Sequence, residues 1–293
     1  MNETTEMVSF DPWNIGSSYK LGIWSFYILT NYIGVLLCLL LIYVVLCNKK
    51  RSSSDIFTCG LSTGCLSMSI TCGTQCLANA IGNKFIGYDK ACNLEAIAHI
   101  SSILTEFFNV AFISINMYYS VVKKKEIQQN TSFKIIIAIW LICTISTCLA
   151  SLEGKIYLMS AGTYCFFAFD SVAITGLLIP GLIISLTIMI SCHFTIVNHL
   201  SKMLPTSVIG FITVGGIKSP VISQQDIWTH QFRWRSTLFI LALILGWGFA
   251  AVTTIHELAI GETPEWLVTA VGVCGVLFSV WVPLIFFLYF FLL

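Results

Sequence analysis

Hydrophobic positions in this chain gather into seven long runs separated by short polar segments: Leu21–Cys47, Asp55–Gly82, Asn93–Val122, Phe133–Leu152, Asp170–Leu200, Arg235–Leu258 and Glu265–Leu293. Each reaches the roughly 20 helical residues that cross a hydrocarbon core about 30 Å thick. The second run differs from the others, because Ser, Thr, Gly and Cys replace most of its large apolar residues, yet it carries no charge from Ile56 to Asn83. Small residues at that density suit a helix packed closely against its neighbours. The pattern predicts an all-α integral membrane protein, a bundle of seven transmembrane helices over residues 21–293 preceded by an extracellular N-terminal segment, residues 1–20.

Composition agrees: 57% of the 293 residues are hydrophobic and 10% charged, with a mean hydropathy of +0.87, outside the range of soluble domains. Charge sets the orientation. With the N-terminus outside and the C-terminus cytosolic, Lys49, Lys50, Arg51, Lys123, Lys124, Lys125, Lys134, Lys202, Lys218, Arg233 and Arg235 fall inside, against Lys20, Lys84, Lys90 and Lys155 outside. The sequon Asn2-Glu3-Thr4 then lies where glycosylation occurs, and Asn130-Thr131-Ser132 does not. The first run is too long for the core of a cleaved signal peptide and reads as a retained helix. These features mark a multi-pass membrane protein, for which the plasma membrane is the expected location.

Most of the twelve cysteines lie within the runs, where they act as small apolar residues. Cys92, at the outer start of helix three, and Cys165, in the loop between helices four and five, face an oxidising compartment instead. Around these landmarks the chain resembles the rhodopsin-like (class A) G protein-coupled receptors. That resemblance implies a disulfide between Cys92 and Cys165, and it puts Asn116-Met117-Tyr118 at the D/E-R-Y motif ending helix three. Trp140, Pro180, Trp247 and Pro283 fall on helices four to seven as in that family. Gly154-Lys155-Ile156-Tyr157 with Gly162-Thr163-Tyr164-Cys165-Phe166-Phe167 is similar to the second outer loop of prostanoid receptors, and Cys59-Gly60-Leu61 to their C-G-L. The prostanoid-gripping arginine of helix seven has no counterpart near Val273.

The departures share a direction. Val35 or Leu39 stands where the family has the helix-one asparagine, and Cys65 where it has the helix-two aspartate. Gly246-Trp247-Gly248-Phe249 replaces C-W-x-P, and Val282-Pro283-Leu284-Ile285-Phe286 replaces N-P-x-x-Y. The polar spine that rearranges on activation in the family is largely apolar here. At the inner end, Asn116 and Met117 remove both the acid and the arginine of the D/E-R-Y motif, leaving Tyr118 and the basic edge Lys123, Lys124 and Lys125 to face a G protein.

Ionisable residues inside a membrane are costly and mark function. Helix three has Glu95, His99 and Glu106, which about 100° per residue returns to within about 40° of one face. Glu95 and His99, with Trp247 and Thr163, are the expected extracellular ligand site, the competing reading being a Glu–His pair that satisfies itself. Asp170, His256 and Glu257 line the same mouth or are solvated loop ends. Glu106 lies deeper, in an expected polar pocket with Cys65 and Ser279, either restoring the lost acid of an ion site or sitting protonated among hydroxyls.

No H-E-x-x-H, phosphate loop or intramembrane aspartate pair is present, and no lysine from Glu265 to Leu293 could carry retinal. The expectation is no enzyme, cofactor or metal. The expected partners are an extracellular ligand, membrane lipid, a heterotrimeric G protein and other receptors, and not nucleic acid. Two alternatives stay open: a non-signalling protein that sequesters ligand or pairs with receptors, and a small-molecule or proton-coupled transporter using the Glu95, His99, Glu106 row.

Overall fold

The computed structural model describes residues 17–48, 52–82, 89–158, 163–203, 211–214, 217–220, 224–261 and 263–291. Seven helices long and apolar enough to span a membrane make up the bundle: α1 Ser17–Cys47, α2 Ser53–Gly82, α3 Asp89–Val122, α4 Gln129–Ala150, α5 Ile179–Met203, α6 Gln224–Ile260 and α7 Glu265–Phe291. Asn2, Lys49, Lys50, Arg51 and Lys84 lie outside the described residues. Helix α6 starts well before Arg235, because the hydrophobic run marks only the membrane-spanning part of a longer helix.

The composition of each helix matches its place. Helices α2 and α3 bury the most, and α4 the least, so α4 leaves Ile137, Leu141, Ile145 and Leu149 on its outer surface at a spacing of one turn. The small residues of α2 permit close approach. A Cβ added to Gly64 would lie 2.9 Å from Glu106 Cγ and 3.1 Å from the Ser102 carbonyl oxygen, and one added to Gly73 would lie 3.0 Å from Asn31 Cβ. Backbones this near favour dispersion contact between helices that share no hydrophobic drive in lipid.

Helix α2 opens with reciprocal capping: the Ser52 amide donates to Asp55 Oδ2 (2.8 Å) and the Asp55 amide to Ser52 Oγ (3.2 Å). The next hydroxyl, of Ser53, donates to the Ile127 carbonyl in the α3–α4 connection. Trp140 of α4 donates its indole N–H to Thr63 Oγ1 of α2 (3.3 Å), tying the outermost helix to the centre. Pro180 lacks the amide that would bond back within α5, and a wide π-helical turn, Ala173–Leu178, stands just before it. The regular helix therefore starts later than Asp170, which lies in a turn and pairs with Lys155.

Two short hairpins lie outside the spans. Strand β1 (Ile156–Leu158) pairs antiparallel with β2 (Cys165–Phe167), Tyr157 opposite Phe166; β3 (Phe211–Val214) pairs with β4 (Ile217–Pro220) between α5 and α6. The hydropathy pattern foretold neither, since three- and four-residue strands leave little periodic trace.

Candidate functional site

At one end of the bundle, one face of α3 holds a single residue of the α4–α5 connection. Cys92 forms a disulfide with Cys165, Cα to Cα 5.3 Å. One turn along, Glu95 Oε2 accepts the Cys165 amide N–H at 3.1 Å, and one further turn along, His99 Nδ1 lies 3.1 Å from the Cys165 carbonyl. A carbonyl only accepts, so His99 carries its proton on Nδ1 and donates. Positions 92, 95 and 99 recur at helical spacing, which is why three bonds converge on one residue. Cys165, Phe166 and Phe167 are buried, as are Thr163 and Tyr164 before them. Asn79 of α2 donates to the Thr163 carbonyl at 3.4 Å. Outside this core, Lys155 bridges Asp170 (2.9 Å) and Glu153 (3.2 Å); the hydrogen bond to Asp170, then that to Glu153, raises the lysine above its ordinary value.

A second polar layer crosses the middle of the bundle. Cys65 of α2 interacts with Glu106 of α3 on one side and Cys38 of α1 on the other, and the Cys38 thiol donates to the Ser279 carbonyl of α7 at 3.7 Å. The Ser279 hydroxyl turns back to the Val276 carbonyl at 2.7 Å. Glu106 is wholly buried, and neither oxygen meets a nitrogen or hydroxyl donor. Its polar neighbour is the Cys65 thiol, a weak donor. Beside this layer, Trp247 meets Phe107 edge-on (5.9 Å) and Phe278 (6.4 Å), and its ring lies against Gly275.

At the opposite end of α3, Asn116 is buried and donates to Ser54 Oγ of α2 at 2.7 Å. The next residue, Met117, lines a mostly apolar cleft with Met189 and Ile196 of α5 and Phe239 and Ile240 of α6, where Ser114 and His193 are the polar members. Lys123, Lys124 and Lys125 are exposed, the Lys123 ammonium lying 6.0 Å from the centre of the Tyr118 ring. Lys124 adopts the left-handed region (φ 53°) where the chain leaves α3.

The sequence profile of the 7 transmembrane receptor (rhodopsin family) matches residues 38–293, most of the chain. The protein belongs to the rhodopsin family of seven-transmembrane receptors. Comparison with curated proteins finds no match.

In this rhodopsin-family receptor the expected disulfide is formed; Glu106 lies beside Cys65, and Cys38 links Cys65 to the Ser279 carbonyl. The four residues expected to share a ligand site are divided. Glu95, His99 and Thr163 surround the Cys165 segment, whereas Trp247 packs with Phe107 and Phe278. His256 and Glu257 lie near the last turn of α6, where Glu257 accepts a hydrogen bond from Thr263. Several contributors escaped the sequence reading. Asn31 of α1, buried one turn before Val35, donates to the Tyr27 carbonyl (2.8 Å) and to Cys72 Sγ (3.4 Å); an amide within an apolar run is itself the signal that could have found it. Asn79 and Ser54 were hidden among the many small polar residues of α2.

Proposed function

We propose that this receptor lies in the plasma membrane with its N-terminus and disulfide end outside, binds an extracellular ligand, and drives heterotrimeric G proteins weakly or not at all. The observation that carries this reading is at the foot of α3. Where the family has an acid and an arginine, Asn116 is turned to Ser54 and Met117 sits in a mostly apolar cleft against α5 and α6. A thioether supplies adaptable packing but none of the charge-assisted hydrogen bonds of a guanidinium. The ionic restraint and the contact with a partner are lost together. Tyr118 and Lys123–Lys125 are left as a basic edge, which suits anionic lipid headgroups or an acidic partner.

The disulfide end, with Glu95, His99 and Thr163, is the proposed side of ligand access, and Trp247 the depth to which a ligand would reach. A prostanoid-receptor-like ancestry draws support from the sequences Cys59-Gly60-Leu61 and Gly162-Thr163-Tyr164-Cys165. Sequestration of ligand, or pairing with other receptors, is the use of a receptor that binds without coupling. Proton relay along α3 is less favoured, because Glu95 and His99 are engaged by Cys165. Expression in cultured cells, with surface abundance and basal second messengers measured beside a coupling member of the family, tests the proposal. Normal surface abundance with messenger levels at those of untransfected cells supports it; elevated messenger overturns it.

A further inference from the structure

The β2 segment does more than close the disulfide. Between Thr163 and Cys165, the Tyr164 side chain turns into the bundle and is buried. Its ring meets His99 of α3 edge-on with centres 5.0 Å apart and Tyr27 of α1 at 5.9 Å. The far wall is α7, which comes close because residue 272 is glycine: an added Cβ would collide with the Tyr27 hydroxyl and lie 3.1 Å from that of Tyr164. Three helices thus present an imidazole, a phenol and a bare backbone to one aromatic ring. Burial pushes the Tyr164 hydroxyl well above its ordinary value, so the ring enters as a neutral phenol. The ring's own backbone is held in place by the three bonds from Cys92, Glu95 and His99 to the next residue.

We propose that the slot bounded by Tyr27, His99 and Gly272 is a binding site for a phenol ring, filled in cis by Tyr164, so that the receptor carries its own occupant at the disulfide end. An incoming ligand must displace this ring, against the high effective concentration of a tethered group. The inference rests on reading the disulfide end as the ligand-facing end, but the slot itself can be probed without any ligand or signalling assay.

Tyr164→Gly removes the ring and leaves a cavity shaped for it, and a cavity walled by rigid helices binds small aromatics that match it. The probe is p-cresol, the tyrosine side chain as a free molecule, measured against toluene by thermal unfolding of receptor in nanodiscs. Expected is a saturable rise in the unfolding temperature of the variant by p-cresol, with affinity at least about tenfold above that for wild type, and a smaller rise with toluene. Equal responses of variant and wild type, or none in either, overturn the proposal. A second measurement needs no variant: nitration of the wild-type receptor by tetranitromethane, mapped by peptide mass. Tyr119, exposed at the other end of α3, should be modified and Tyr164 spared; modification of Tyr164 as readily as Tyr119 overturns the slot. Failure of either test leaves the proposal about G protein coupling untouched.

Discussion

Replacing His99 by Phe separates the two tasks that this side chain performs. Phenylalanine keeps a ring against Tyr164 but cannot donate to the Cys165 carbonyl, which His99 Nδ1 meets at 3.1 Å in a fully buried setting. A buried polar group that loses its partner costs about 1–3 kcal/mol, against a net gain of about 1 kcal/mol for a typical bond made. Glu95→Ala orphans the other backbone group of the same residue, its N–H, at a similar cost. Glu95→Gln retains an accepting oxygen and should cost less. Because both bonds fix one residue that the disulfide also restrains, the losses should couple: once one bond is gone the peptide shifts, and the second deletion costs less than it does alone. The assay is thermal unfolding of purified receptor read by a thiol-reactive fluorophore, since the buried free thiols of Cys38, Cys65, Cys72, Cys76 and Cys143 become reactive only on unfolding. Expected are falls of a few degrees for His99→Phe and Glu95→Ala and a double variant less affected than their sum. If His99→Phe and Glu95→Ala both unfold at the wild-type temperature, the clasp on Cys165 contributes nothing to the fold.

Gly64→Leu should cost at least about 1–3 kcal/mol and reduce surface expression, because one of the atoms in its way is the Ser102 backbone carbonyl, which cannot swing aside; wild-type expression would refute the close α2–α3 approach. Asn116→Ala loses the bond to Ser54 and should lower stability by about 0.5–1.5 kcal/mol in the same unfolding assay. Glu106→Gln, which keeps the shape and cannot ionise, should leave thermal stability and its sodium dependence near wild type; a large sodium-dependent loss would instead assign an ion to that layer. The Lys155 bridge has a raised folded value, so its contribution is fully present below the unfolded lysine value of about 10.4 and disappears only as pH rises through the folded one. Unfolding temperatures between neutral pH and about 9 should therefore not respond to Lys155→Met differently, whereas added salt should shrink the small difference between the two proteins.

The seven spans were legible because membrane hydropathy is a strong signal, summed over about 20 consecutive residues, that depends on no single contact. Even α2, short of large apolar residues, was readable from its lack of charge, and its Gly60, Gly64 and Gly73 lie against atoms of neighbouring helices. The inward face of α3 was equally readable: Glu106 and His99 are buried as their spacing required. What stayed hidden was which partner each polar group meets. Glu95 and His99 suit a ligand as well as a peptide unit, and nothing in the chain says that Cys165 brings its own amide and carbonyl to them. Asn116 was read only as the missing half of an ion pair, whereas its amide finds Ser54, sixty-two residues away in the chain. Contacts of that kind depend on helix rotation and register, which hydropathy leaves loosely determined.

The central claim, that Asn116 and Met117 uncouple this receptor, is tested most directly by nucleotide exchange. Purified receptor in lipid nanodiscs is mixed with purified heterotrimeric G protein, and GTP uptake is followed for wild type, for N116D/M117R and for a variant with Lys123, Lys124 and Lys125 changed to Gln. The account predicts that wild type exchanges no faster than receptor-free nanodiscs and that N116D/M117R raises the rate. Rapid exchange by wild type that survives M117R and disappears with the lysines would contradict it.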